Sequence, residues 1–272
     1  VDISSVTPLT PRVTHLIPDP ITNEAFLLAM SNELGSDQLS QAPLTRLKHS
    51  HGQTTCLEVY KIVYRGIIDR LVDLVVYPQS EEDCEFIVAQ AKAHQVCLVP
   101  YGGGTNVTSA LELPANESRM TVSVDMSRMD KIEWINEENG TACIQAGISG
   151  ALLEEKLASH GYVLGHQPDS VEFSTLGGWI STNASGMKKN KYGNIDDIVE
   201  TVYMITPGGW LHQKEGMCRT SMGVKPQAAL FGSEGNLGLI TKAVVKIQKA
   251  PEITAYESLV FKDFSTGIDF LK

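Results

Sequence analysis

Two kinds of hydrophobic pattern divide the chain. From Leu74 to Asp125 the apolar residues fall in short unbroken runs, LVVYP, VCLVPYGG and the Met120–Asp125 stretch, which read as buried strands. Between the first two, SEEDCEFIVAQAKAHQ keeps a helical period, with Ser80 as its cap and Asp83 in its first turn. Strand, helix and strand in that order predict a parallel unit. Beyond it, KIEWIN and TACIQAG are strand patterns about a Glu137–Gly140 turn. GALLEEKLASHG predicts a helix ending at Gly161, with Leu152, Leu153 and Leu157 on its apolar face. IVETVYMITPGG, WLHQK and the long alternating LITKAVVKIQKA add strands to a mostly antiparallel sheet.

The flanks carry weaker patterns. Residues 1–20 are rich in Pro, Thr and Ser and read as extended; Ile21–Leu34 is a helix that Asn23 can cap and Gly35 stops. Thr54–Val63 fits a strand or a short helix. At the far end ESLVF reads as a strand and FSTGIDFLK as the opening of a helix, so the chain is expected to be a piece of a longer protein. The expected class is α+β in two subdomains: a small mixed α/β unit near residues 71–126 and a larger antiparallel sheet with helices near 127–251. Residues 1–70 form an N-terminal extension, and 252–272 begin a further domain.

One stretch follows neither period. Gly165–Asp197 mixes glycines, hydroxyl residues, a histidine, a carboxylate and amides, and a long irregular loop inside a folded chain usually serves a ligand. It belongs to a set of three glycine- and hydroxyl-rich loops that follow strands: YGGGTN, the run DSVEFST to STNAS, and GSEGNLG. Residues without Cβ let successive backbone N–H groups approach an anion. Three such loops suit a long cofactor with a diphosphate in its middle. YGGGTN is not GxGxxG and lacks the Lys-Ser/Thr pair of a nucleoside triphosphate loop, so alone it could equally be a turn. Glu234 could hold an amide donor or a ribose hydroxyl, or simply be solvated.

Charge and cysteine usage narrow the classes. A formal charge of -10 on 272 residues makes a nucleic-acid backbone a poor partner; the basic cluster Lys188, Lys189 and Lys191 is local. Cys56, Cys84, Cys97, Cys143 and Cys218 are widely spaced with no CxxC, which fits mostly buried thiols in a reducing compartment and suggests no metal site. His49 and His51 read as core or solvent histidines, and His160 as an exposed one beside a helix end. No stretch has transmembrane length without charge.

VPYGGGTN, PDSVEFSTLGG, STNAS and GSEGNLG stand in an order that resembles the FAD-binding part of the vanillyl-alcohol oxidase/p-cresol methylhydroxylase type flavoproteins, across residues 71–251. GHQPDSVEFSTLGGWISTNASGMKKNKYGNIDD, with His166 before PDS and the run Gly186–Asn190, is similar to the alkyldihydroxyacetonephosphate synthase family of ether-lipid synthesis. LKHSHGQTTCLEVYKIVYRGIIDRLVDLVVYP resembles that family more weakly.

The resemblance implies an FAD cofactor and no metal. The implied cofactor contacts are Pro100, Tyr101, Gly102, Gly103, Gly104, Thr105 and Asn106 in the first loop, and Asp169, Ser170, Val171, Glu172, Phe173, Ser174 and Thr175 in the second. Thr182, Asn183, Ala184 and Ser185 follow, and then Glu234, Gly235, Asn236, Leu237, Gly238, Leu239 and Ile240. The implied reaction replaces the acyl chain of 1-acyl-dihydroxyacetone phosphate with a long-chain fatty alcohol and releases a fatty acid. By the same resemblance the flavin N5 would hold the carbon skeleton, with no net oxidation. His166 is the implied catalytic residue; the alternative is that it bonds loop backbone and shapes the pocket.

A homodimer, a peroxisomal location and peripheral membrane contact are implied as well. Two other readings stay open: an FAD-dependent oxidoreductase of a 2-hydroxy acid, D-lactate dehydrogenase-like in its GGGT, GG and GSEG loops, and a non-catalytic flavin-binding protein. The chain departs from the family pattern at Gln53, where a second histidine of HGH is common, and in RTSMGVKPQ, Arg219–Gln227. The family's catalytic tyrosine, phosphate-binding arginines and histidine-rich loop would fall after Lys272.

Overall fold

A computed structural model describes residues 17–53, 55–65, 68–212, 221, 223 and 225–272. The predicted extended start up to residue 16, the end of WLHQK, Cys218 and, within the stretch 219–227, residues 219, 220, 222 and 224 lie outside them. The first helix among the described residues, Glu24–Glu33 (α1), starts where the Asn23 side chain accepts a hydrogen bond from the Phe26 N–H, and it buries Phe26 and Met30. A short strand, Leu39–Ser40 (β1), leads to helices Pro43–Lys48 (α2) and Cys56–Arg65 (α3). The Thr54–Val63 ambiguity thus resolves to a helix beginning at Cys56.

Strand Leu74–Val76 (β2), helix Glu81–His94 (α4) and strand Cys97–Tyr101 (β3) make the predicted parallel unit, with Ser80 capping α4 through the Asp83 N–H. Strand Thr121–Asp125 (β4) pairs between β2 and β3, so the sheet order is β1-β2-β4-β3 with only β1 antiparallel. β3 is therefore an edge strand, and its C-terminal end runs straight into the triple glycine.

The second sheet is antiparallel throughout. Strands Ile132–Asn136 (β5) and Thr141–Gln145 (β6) form the predicted hairpin, followed by helix Gly150–Ser159 (α5) and a short strand, Tyr162–Val163 (β7). The stretch after Gly165 is not wholly irregular: it holds helices Leu176–Ser181 (α6), Lys189–Tyr192 (α7) and Ile195–Ile198 (α8). None exceeds six residues, too short to impose a period on the sequence. Strands Val199–Thr206 (β8), Gly209–Leu211 (β9) and Leu239–Lys246 (β10) complete the order β5-β6-β10-β8-β9. Gln248–Lys249 (β11) pairs with β7 apart from this sheet. The fold is α+β.

LITKAVVKIQKA was expected to alternate between core and solvent, but β10 is buried almost throughout. Both of its faces are covered. Ile240 and Met204 join the core beneath α5 and α6, while Leu239 and Ile205 join the core beneath α1 and α4. A bulge between Ile240 and Lys242 turns two successive residues to the α4 side. There the Thr241 hydroxyl donates to Glu81 Oε1 at 2.6 Å and Lys242 Nζ donates to Glu81 Oε2 at 2.8 Å.

ESLVF forms no strand. It is exposed, and among the described residues no strand pairs with it, so its backbone groups are left to water. The helix after it, Phe264–Leu271 (α9), forms as expected and is capped by Asp263.

Candidate cofactor site

The glycine loop after β3 is packed against its neighbours. A Cβ on Gly103 would stand 2.0 Å from the Phe173 carbonyl oxygen. One on Gly104, whose φ of +66° already favours glycine, would stand 2.4 Å from the Tyr101 hydroxyl. The glycines thus let the first loop nest on Phe173–Thr175 of the second. The third loop docks beside them: the Glu234 N–H donates to the Ser181 carbonyl at the end of α6 at 2.8 Å, and Gly235 packs on Pro100. The Thr108 hydroxyl donates to Glu234 Oε1 at 2.7 Å, which links the first and third loops directly. Together they wall a cavity of about 510 Å³. That lies within the range of roughly 300–1,000 Å³ usual for small-molecule sites.

The wall contains Pro100, Tyr101, Gly102, Gly103, Gly104, Thr105 and Asn106, with Asp169, Ser170, Ser174 and Thr175. Thr182, Ala184, Ser185, Glu234, Gly235, Gly238 and Ile240 complete the nominated residues found there. Val171, Glu172, Phe173, Asn183, Asn236, Leu237 and Leu239 are not on it. Phe173 offers its carbonyl to the loop packing while its ring faces solvent, and Leu239 sits in the core under α4. Sequence reasoning passed over Val107, Thr108, Leu111, Met126, Ala146 and Trp179, which also line the cavity. The apolar ones carry the same signal as core residues, so only the fold separates them.

Backbone strain gathers at the same place. Among the described residues, five other than glycine have positive φ: Gln95, Ser109, Ser170, Asn183 and Glu234. Ser170 and Glu234 line the cavity; Ser109 and Asn183 each sit between two residues that do. Such conformations persist where surrounding structure holds them, commonly at ligand sites.

His166 is 2% exposed, and among the described residues neither ring nitrogen has a hydrogen-bond partner. Its ring meets Trp179 edge-on at 5.0 Å, and Gly186 packs so close that a Cβ there would stand 3.2 Å from Nδ1. Burial pushes the imidazole pKa down from 6.5 to about 4, so it is neutral at physiological pH. His166 itself is not on the cavity wall, whereas Trp179 is, its ring fixed by an Nε1 hydrogen bond of 2.8 Å to Ser174 Oγ. His49 is a core histidine, bonded to Asp125 Oδ2 at 2.7 Å, and His160 is exposed as expected. Burial, the largest influence in each case, raises the pKa of Cys84, Cys97 and Cys143 and keeps these thiols protonated.

The model of the FAD binding domain family matches residues 72–213. The chain belongs to that family. FAD is the cofactor of this domain, and the residues present suit it. The N–H groups of Gly102, Gly103, Gly104 and Asn106 donate to no protein acceptor among the described residues. An FAD-binding domain needs such donors for a diphosphate and apolar walls for a flavin, and Leu111, Met126 and Trp179 supply the latter.

Within the family the kinship lies with alkyldihydroxyacetonephosphate synthases. The one from Caenorhabditis elegans is 40% identical over 100% of this chain, and the one from Trypanosoma brucei brucei is 39% identical over 92%. A solved alkyldihydroxyacetonephosphate synthase structure superposes with a TM-score of 0.82 at 38% identity, over 87% of this chain and 42% of that one. The chain spans 45% and 40% of the length of these two relatives.

Proposed function

We propose that the protein is an FAD-dependent transferase of ether-lipid synthesis. It exchanges the acyl chain of 1-acyl-dihydroxyacetone phosphate for a long-chain fatty alcohol. The observation that carries this reading is likeness to alkyldihydroxyacetonephosphate synthases over the whole chain, in which the three motif loops close on one cavity. When bound, FAD supplies a ring nitrogen, N5, that acts as nucleophile and electron store.

This chain's part is to hold and orient. Backbone N–H groups of the glycine loop would hold the diphosphate, and the apolar Leu111, Met126 and Trp179 would keep water from the ring. His166 lies behind Trp179 with no partner for either ring nitrogen among the described residues, and it would hold or move a proton at those atoms only where the bound cofactor or substrate reaches them. The division into an FAD-binding domain at 71–251 with flanking segments belongs to this proposal. So do the homodimer, the peroxisomal location and the peripheral membrane contact. Among the described residues no helix is long and apolar enough to cross a membrane.

The test supplies the full-length protein with acyl-dihydroxyacetone phosphate and a labelled long-chain alcohol. Fatty acid release with label in the ether product is expected. Absence of exchange, together with flavin bleaching by a simple 2-hydroxy acid, would overturn the transferase reading in favour of an oxidoreductase.

A further inference from the structure

The described residues of the segment His49–Glu58 contribute nothing to the cavity wall, yet they are tied to the glycine loop's backbone. The Gln53 N–H donates to the Gly104 carbonyl at 2.6 Å, and the Thr55 hydroxyl donates to the Asn106 carbonyl at 2.8 Å. Gly52 approaches the same junction: a Cβ there would stand 2.3 Å from Thr55 Oγ1 and 2.9 Å from the Asn106 oxygen. The segment is itself anchored. The Gly52 N–H donates to the buried Glu58 carboxylate. His49 is held between the Thr45 carbonyl at 2.8 Å and Asp125 Oδ2 at 2.7 Å, with its ring 4.3 Å from that of Tyr101.

A trans peptide points its C=O and its N–H in opposite directions. Tying the carbonyls of Gly104 and Asn106 to this segment therefore fixes the backbone on either side of Thr105 and turns the Val107 N–H the other way, and Val107 lines the cavity. We infer that His49–Glu58 is a positioning strap for the diphosphate: it never touches the ligand but holds in place the backbone of the Gly102–Asn106 loop, whose open N–H groups receive the anion. This rests on the FAD reading above and adds which residues outside the cavity set the affinity, and for which part of the cofactor. Thr55 is its most testable member, because one hydroxyl makes the contact.

Thr55→Val keeps the side chain's shape and removes the hydroxyl; Thr55→Ser keeps the hydroxyl. Apo protein is titrated with FAD, ADP and riboflavin, following fluorescence, and the apo Tm of each variant is recorded. Thr55→Val is expected to bind FAD and ADP about five- to tenfold more weakly, riboflavin unchanged, with Thr55→Ser within about twofold of the parent, as loss of one hydrogen bond to a preorganised loop implies. Gly52→Ala, whose methyl displaces the Thr55–Asn106 contact, is expected to give the same pattern with a larger loss.

Unchanged binding of all three ligands by Thr55→Val overturns the inference. So does riboflavin affinity falling in step with ADP, or a lower apo Tm with unaltered binding by the folded protein. A parent chain that binds neither FAD nor ADP overturns the cofactor reading itself.

Discussion

Burying an imidazole with both nitrogens unpaired is expensive: an unsatisfied polar group in a protein interior costs about 1–3 kcal/mol. His166 carries that cost beside Trp179. His166→Phe keeps a ring and removes the nitrogens. It is expected to raise the apo Tm while lowering turnover of the full-length enzyme by at least about 100-fold, the lower bound for a lost proton-transfer group. Turnover close to the parent's would leave His166 only a packing role.

The same site makes a pH prediction. With the folded pKa near 4 against 6.5, the unfolded chain binds more protons between these values. Stability from this group is complete above pH 6.5 and is lost as pH falls toward 4, at no more than about 1.4 kcal/mol per pH unit for one proton. The melting curve of His166→Phe is therefore expected to be flatter than the parent's between pH 4 and 6.5, and parallel curves would contradict the assignment. The glycine loop was legible in the sequence because three glycines directly after a buried strand mark a close approach of backbone, whereas His166, singled out in the same way, lies buried behind the cavity wall. Trp179 was not legible, since an aromatic residue in LGGWIS carries no mark that separates cavity wall from core.

At the level of elements, the misleading stretch was β10. In a strictly alternating strand the adjacent Thr241 and Lys242 would point to opposite faces, yet the bulge aims both at the first turn of α4. Lys242 also reaches Glu133 at 3.1 Å, so one cation joins α4, β5 and β10. Burial works against its charge, but hydrogen bonds to Glu81 and Glu133 outweigh that and hold its pKa above the ordinary value. Lys242→Met leaves two carboxylates facing one another. It is expected to destabilise the protein by about 1–3 kcal/mol, less than for a fully buried pair because the site is partly open to water. Denaturant titration gives the number, and a loss below about 0.5 kcal/mol would show the two acids are already solvated. The small mixed unit and the hairpin were legible because their runs are long and their caps explicit. ESLVF failed because strand propensity forms no ladder without a neighbour.

For the whole molecule, the pattern of runs was enough for an α+β class with one parallel-type and one antiparallel sheet. The insertion of β4 between β2 and β3 was not, because strand order is decided by contacts distant in sequence. The cavity, too, exists only once loops separated by more than a hundred residues meet, as Thr108 and Glu234 do.

The two-sided burial of β8 and β10 bears on how the molecule comes apart. Leu239 and Ile205 belong to one core, Ile240 and Met204 to the other, so neighbouring residues on each strand hold both. Neither sheet can melt while the other keeps its wall, and calorimetry is expected to show a single transition whose van't Hoff and calorimetric enthalpies agree. Two resolved transitions would mean the wall is not shared. A lesion deep in the first core, far from any flavin contact, would then be felt as loosened cofactor retention: cooperativity makes every core residue an indirect guardian of the cavity.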